Sequence, residues 1–291
     1  AHNMLLAHAK AWHIYDKEFR SSQGGKITIV LYSSYFEPMT ESEADKQASH
    51  RGIQWSLGWI AHPVFKGDYP EIMKKTIEEK SRAKGLPCRL PSFSDEEKKF
   101  IQGTADCVAL NFYSASVAEH NAELASNLDT NWDYKTDQEI KESERSHWTK
   151  GKKLWISAMS YSTPFGIRKI LVWIKDNYDD PEILITENGF SCVGEDSLQG
   201  PEALNDVDRV HSIKGYVNEA LKACKIDGVR LKGYFVWSLM DNFEWVFGYK
   251  VRFGIHKVDF EDPKKTRTPK KSALVFKVIV ANNGFRQSQL E

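Results

Sequence analysis

Long hydrophobic runs, paired cysteines and an excess of either charge are all missing from this sequence. No apolar stretch approaches the roughly 18–20 residues that a membrane-crossing helix needs, so a transmembrane segment is not expected. No charged-then-apolar leader opens the chain either. Only 4 cysteines occur in 291 residues. Cys88, Cys107, Cys192 and Cys224 are scattered, form no C-x-x-C pair and have no zinc spacing, so they read as buried free thiols. The 40 Lys+Arg balance the 40 Asp+Glu, for a formal net charge of +0. That balance argues against a nucleic-acid partner held by phosphate neutralisation. There is no N-x-[ST] sequon, no internal repeat and no low-complexity tract. H-E-x-x-H, a Gly-rich phosphate loop and a G-x-S-x-G elbow are also missing, so neither a metal nor a cofactor is expected.

What is present is an ordinary globular composition, 41% hydrophobic and 27% charged, sufficient for a packed core. Four apolar, β-branched runs read as buried strands: Lys26–Tyr32, Ala105–Tyr113, Glu182–Thr186 and Leu231–Ser238. Helical patterns lie between and around them. Residues 1–19 place Met4, Leu5, Ala11, Trp12 and Tyr15 on one stripe, with His8 on the same face. Further helices are expected over 69–84, 95–102, 165–178, 206–226 and 268–281, the fourth strand following the 206–226 helix. In the 165–178 helix, Ile167, Ile170, Leu171 and Ile174 form the apolar stripe. The polar segments 119–151 and 194–205 read as long surface loops. Strands alternating with helices imply α/β architecture with parallel β/α units. Only four convincing strands appear, however, and a closed barrel needs eight.

Chemistry in such folds collects at the C-terminal ends of strands. Here those ends carry Ser33–Pro38, Asn111–Ser114, Thr186–Gly189 and the run from Trp237 to Trp245. Carboxylates and amides beside aromatic platforms suit a sugar. Aromatic faces stack on the C–H surface of a pyranose while carboxylates and amides bind its hydroxyls.

The segments ITENGF (185–190) and GYFVWSLMDNFEWVFGY (233–249) resemble glycoside hydrolase family 1, the retaining β-glucosidases. The resemblance continues through AHNMLLAHAKAWHIY (1–15), LGWIAHPVFKGDYPEIMK (57–74), GTADCVALNFYS (103–114), TPFGIRKIL (163–171) and RFGIHKVDF (252–260). It implies a TIM (β/α)₈ barrel of which residues 1–291 are a single domain's C-terminal part, strands 5–8 with their helices. It also implies a β-glycoside or oligosaccharide substrate and a partner in the missing N-terminal half of the barrel. By the same resemblance Glu187 is the nucleophile, Tyr113 its hydrogen-bonding partner, and Asn111, Trp237, Glu244 and Trp245 bind substrate. Asp241, Asn242 and Phe243 then shape the loop. The family's acid/base glutamate lies in an Asn-Glu-Pro motif that is expected upstream of Ala1. Glu37, in F-E-P, and Glu219, in N-E-A within a helix, resemble that motif without matching it and read as structural. Tyr35 is a weak candidate for the aglycone side. His8, His62 and His256 read as packing or hydrogen-bonding histidines. The alternative is a klotho-like, non-catalytic binding module that keeps the fold but not both carboxylates.

Overall fold

The computed structural model describes residues 1–126, 133–152 and 160–285. Among them the helices are α1 (His2–Glu18), α2 (Arg20–Gln23), α3 (Glu43–Ile53), α4 (Trp59–Lys66), α5 (Glu71–Ala83), α6 (Asp95–Ile101), α7 (Ala122–Ser126), α8 (Pro164–Asn177), α9 (Val207–Lys225) and α10 (Lys271–Asn282). The strands are β1 (Val30–Tyr32), β2 (Tyr35–Pro38), β3 (Val108–Asn111), β4 (Ala115–His120), β5 (Ile140–Ser143), β6 (Thr149–Lys150), β7 (Tyr161–Ser162), β8 (Ile183–Asn188), β9 (Leu231–Val236), β10 (His256–Val258) and β11 (Arg267–Pro269).

The four strands expected from sequence are β1, β3, β8 and β9, and they form one sheet in that order. Sequence neighbours are therefore spatial neighbours, as helical crossovers between parallel strands require. The β3–β8 rungs Val108 N–H to Glu182 O and Phe112 N–H to Glu187 O advance in the same sense on both chains, which makes this pair parallel. In β3, Val108, Ala109 and Leu110 are all buried, as expected for a strand covered on both faces.

The chain divides into two compact units. The first holds Ala1–Leu110, Ser116–Arg145 and Ile174–Leu184. Its core gathers Leu5, Ala9, Trp55, Val64, Tyr69 and Met73. A second sheet, β2-β4-β5, lies here, with β4 and β5 antiparallel from Val117↔Ser143 to His120↔Ile140. Helix α6 begins with a capping box: the Ser94 side chain accepts from the Glu97 amide, and the Glu97 carboxylate accepts from the Ser94 amide. The second unit holds Asn111–Ala115, Ser146–Trp173 and Ile185–Glu291, with Ile213, Val217, Ile255, Ala273 and Ile279 in its core.

The apolar stripe of α8 is placed as read: Ile167, Ile170, Leu171 and Ile174 are each fully buried. Truncating Leu171 to alanine would cost about 2–5 kcal/mol. The stripe of α1 needs correction. Leu5 is buried and His8, Trp12 and Tyr15 are half-buried as expected, but Met4 and Ala11 face solvent and Ala9 is buried in their place. Residues 268 and 269, expected to open the last helix, belong instead to β11, which pairs with β10, and α10 starts at Lys271. Helix α3, a π-helical stretch (Gln54–Gly58) and α4 run on from one another unannounced by any sequence reading. The 119–151 segment is not simply a surface loop. It contains β5 and the buried Asp137 and Gln138, and residues 127–132 of it lie outside those described. Nor are the four cysteines uniformly buried: all are free, Cys107 is buried and Cys88 is exposed.

Candidate active site

Strand β8 buries Ile183 and Ile185 and leaves Thr186 and Glu187 half-buried at its end, Glu187 on the face of the two isoleucines and Thr186 on the opposite one. Because β3 runs parallel beside it with Phe112 N–H bonded to Glu187 O, the next residue, Tyr113, comes level with Glu187. The Tyr113 hydroxyl donates to Glu187 Oε2 at 2.7 Å. Tyr113 is itself fixed. It is 5% exposed, its ring meets Phe253 edge-on at 6.0 Å, and its carbonyl accepts from the Tyr216 hydroxyl at 2.5 Å. Tyr216 accepts in turn from the Thr163 amide.

The residues around Glu187 hold the strand ends in register. Thr186 Oγ1 donates to Asn111 Oδ1 at 2.7 Å, so Asn111 contacts the neighbour of Glu187 and not Glu187 itself. Asn188, buried at 1% exposure, donates through Nδ2 to Phe112 O and accepts the Tyr234 hydroxyl on Oδ1. Trp237 N–H donates to Asn188 O at 2.8 Å. The glycine that follows is compulsory: a Cβ on Gly189 would stand 1.9 Å from Trp237 O.

Beyond β9 the chain turns back over the strand ends, with a cis peptide at Trp237–Ser238. Backbone bonds from Ser238 to Phe253 O, from Ile255 to Ser238 O and from Asp241 to His256 O pin the stem of this loop. Burial, and then the charge on Glu187, raise the Glu244 carboxyl above the usual range, with the nearby Trp237 side chain working against them. Tyr113 and Glu187 thus touch directly, and Glu244 lies near enough to Trp237 and Glu187 for both to act on its carboxyl. Trp245 stands at the rim, 74% exposed, with φ of 42°.

Asp241 does not face this patch. It is 3% exposed, and its carboxylate accepts from Gly254 N–H and from Lys270 Nζ, at 3.1 and 2.9 Å. Lys270 Nζ also donates to Glu195 Oε1 at 2.5 Å, and Glu195 pairs with Arg209, whose Nε donates to Phe190 O at 3.0 Å. Sequence reading missed this buried cluster. The polarity of the 194–205 run points to the surface, yet Glu195 is 7% exposed. A carboxylate buried among cations keeps its charge without solvent: burial tends to raise the Glu195 carboxyl, but Arg209 and Lys270 outweigh it and hold it below the usual range.

The remaining candidates sit elsewhere. Glu37 lies on β2, paired with Arg145 at 3.3 Å, and Tyr35 precedes it on the same strand, half-buried. Glu219 is on α9, paired with Lys222 at 2.5 Å and more buried than a solvated helix face would be. His8, His62 and His256 bond the carbonyls of Thr104, Asp68 and Leu239. Among the described residues no group of three or more His, Cys, Asp or Glu is placed to hold a metal ion, and no helix is long and apolar enough to cross a membrane.

Chemically, one oxygen of Glu187 is tied to Tyr113. The Glu244 carboxyl lies within reach of the charge on Glu187, and the Trp237 amide is bonded to the carbonyl of the next residue, Asn188. Such a patch can receive a hydroxyl-rich ligand and present a carboxylate to it.

Known proteins are similar to this chain along nearly its whole length. The chain is 42% identical over 287 residues to human lactase/phlorizin hydrolase, covering 98% of this chain and 14% of that protein. It is 39% identical over 287 residues to human cytosolic beta-glucosidase, covering 98% of this chain and 58% of the relative. The structure superimposes on that of an aphid myrosinase with a TM-score of 0.84 at 38% identity, covering 96% of this chain and 57% of the other. The chain therefore spans little more than half the length of the last two. Family and structural neighbours alike are TIM barrels. The family model described as Glycosyl hydrolase family 1 matches residues 1–285, and the chain belongs to that family.

Proposed function

We propose that this chain is the C-terminal half of a (β/α)₈ barrel from a retaining β-glycosidase of β-glucosidase or β-galactosidase type. The observation that carries the reading is the strand-end carboxylate Glu187, held by the Tyr113 hydroxyl beside the Trp237–Glu244 pair. The four-stranded sheet and the 57–58% coverage of two relatives support the half-barrel, since closure needs eight strands.

In this reading Glu187 Oε1, opposite the oxygen bonded to Tyr113, attacks the anomeric carbon. The C–O bond to the leaving group breaks through an oxocarbenium-like transition state, and a glycosyl ester forms on Glu187. A second glutamate, outside these 291 residues, protonates the leaving oxygen and then draws a proton from the water that cleaves the ester. Asn111, Trp237, Glu244 and Trp245 form the glycone side, Asn111 acting through Thr186. The partner is the N-terminal half of the barrel.

The test assays the purified chain on cellobiose, lactose and a 2,4-dinitrophenyl 2-deoxy-2-fluoro-β-glucoside. General acid assistance is worth about 10²–10⁴-fold, so disaccharide turnover should be negligible. The activated glycoside, whose leaving group needs no proton, should slowly esterify Glu187, and Glu187→Gln should abolish the labelling. Disaccharide turnover comparable to an intact family enzyme, surviving Glu37→Gln and Glu219→Gln, would sink the half-site reading. Loss of that turnover in Glu37→Gln alone would make Glu37 the acid.

A further inference from the structure

Two loop stems carry the proposed site, and both end in the same buried charge cluster. Phe190, three residues past Glu187, gives its carbonyl to Arg209 Nε at 3.0 Å. Asp241, three residues before Glu244, takes Lys270 Nζ at 2.9 Å. Glu195 closes the gap, accepting Arg209 Nη1 at 3.0 Å and Lys270 Nζ at 2.5 Å on a single oxygen. The path from Phe190 through Arg209, Glu195 and Lys270 to Asp241 therefore spans from one stem to the other. It supplements a backbone bond that joins their bases, Trp237 N–H to Asn188 O.

The cluster is buried and close to charge balance. Arg209, Lys270 and Asp241 side chains are each 1% exposed, Glu195 5% and Asp206 2%. Two cations face three anions, and Arg252, 3.9 Å from Asp241 Oδ2, supplies the third positive charge. Asp206 also fastens the start of α10 through the Ser272 amide and hydroxyl. Lys270, one residue before α10, bonds Ile255 O through its own amide, so its ammonium is delivered from a fixed backbone. Buried ion networks seldom add net stability over a well-packed apolar core, and fixing one arrangement is their best-attested use.

We propose that Lys270 is a positioning residue. Its ammonium bridges Glu195 and Asp241 and thereby sets the Trp237–Trp245 loop against the Glu187 strand end, so that Glu244 and Trp245 meet the glycone. This rests on the β-glycosidase reading and adds to it a residue that contacts no substrate.

Lys270→Met keeps chain length and removes the charge. On the full 291-residue chain, amide exchange should rise about tenfold together in residues 189–196 and 238–248, with α8 unchanged. The concentration of the fluoroglucoside giving half-maximal labelling of Glu187 should rise at least about tenfold, while the maximal labelling rate stays within about threefold. A purely structural role would lower thermal stability without that split. If Lys270→Met does not fold, Asp241→Asn, which keeps size and can still accept from Gly254, should show the same split. Half-maximal labelling within about twofold of wild type in the folded variant, or exchange rising in only one of the two segments, overturns the proposal. If the wild-type chain is not labelled, or Glu187→Gln is, the nucleophile assignment falls instead, and the paired exchange alone decides the bridge.

Discussion

Gly189→Ala tests whether the two strand ends must touch for the site to work. The added Cβ would meet Trp237 O at 1.9 Å, Trp237 C at 3.0 Å and a Phe253 ring carbon at 3.2 Å. Ordinary contact begins near 3.4 Å, so the backbones must part by about 1.5 Å. The nearest atom is a carbonyl oxygen in a hydrogen-bonded loop stem, not the tip of a flexible side chain, so local rotamer change cannot absorb the clash. Overpacking typically costs about 1–3 kcal/mol, and an obstruction made of backbone belongs at the upper end. Two lines of force leave this point. One leads back two residues to Glu187, the other to Trp237 and the loop that carries Glu244. A misplacement of about 1 Å can cost about 10²-fold in rate even when it originates away from the reacting atoms. We therefore expect Gly189→Ala to unfold at lower urea by about 3 kcal/mol and to label Glu187 at least about 10²-fold more slowly. Urea titration by near-ultraviolet dichroism measures the first, and intact-mass kinetics on the folded fraction the second. Labelling at the wild-type rate in a folded Gly189→Ala chain would show that the separation of the strand ends is irrelevant to the nucleophile.

Tyr113→Phe removes only the hydroxyl that fixes Glu187 Oε2, the ring being retained by Phe253 and the backbone by Tyr216. Hydrogen bonds to charged groups contribute about 1.5–3 kcal/mol, so labelling should slow by about tenfold or more with little change in fold; an unchanged rate would remove Tyr113 from the mechanism. Arg209→Met leaves Glu195 and Asp206 buried without their guanidinium, and urea unfolding should show a loss of about 3–5 kcal/mol; a loss below 1 would refute the network account. Glu195 is depressed in the folded chain, so its contribution to stability is present above the ordinary carboxyl pKa of about 4.3 and is lost as pH falls through the lower folded value. Wild type should consequently lose more stability below about pH 4 than Arg209→Met does; equal acid sensitivity in the two would contradict that linkage.

The parts of the molecule legible in sequence are those encoded locally. The four strands of the main sheet show as apolar runs, although only β3 is buried along most of its length and Val30 of β1 and Phe235 of β9 are 52% and 58% exposed, and the α8 stripe shows because its four apolar residues recur with helical spacing. Glu187, Tyr113, Trp237 and Glu244 were legible because strand ends collect chemistry and because their motifs resemble a known family. The α1 stripe misled because Met4 is apolar yet 61% exposed, and composition cannot tell which side of a helix meets a neighbour. The Arg209–Glu195–Lys270 bridge left no trace, since its members are 14 and 75 residues apart in the sequence and each looks like an ordinary surface charge. Local polarity predicts exposure only where no opposite charge arrives from afar.

That failure bears on how the site itself is built. Two carboxylates at one strand-end patch repel, and the rise in the Glu244 carboxyl includes a contribution from Glu187. A flexible loop would relieve the repulsion by swinging Glu244 toward water, which screens charge far better than a protein interior. Here the Trp237 side chain lies near enough to Glu244 to favour its charge, and Asp241, fastened to Lys270, holds the loop three residues before it. The electrostatic tension at the patch is thus opposed by a buried, charge-compensated cluster that holds Asp241 and the Phe190 carbonyl. The cluster's cations lie where the sheet and α10 can fix them, and its effect reaches the ligand side only through backbone. A site of this design depends on residues that no ligand touches, which is why Lys270 and Gly189, and not only Glu187, are the positions at which the functional reading can be broken.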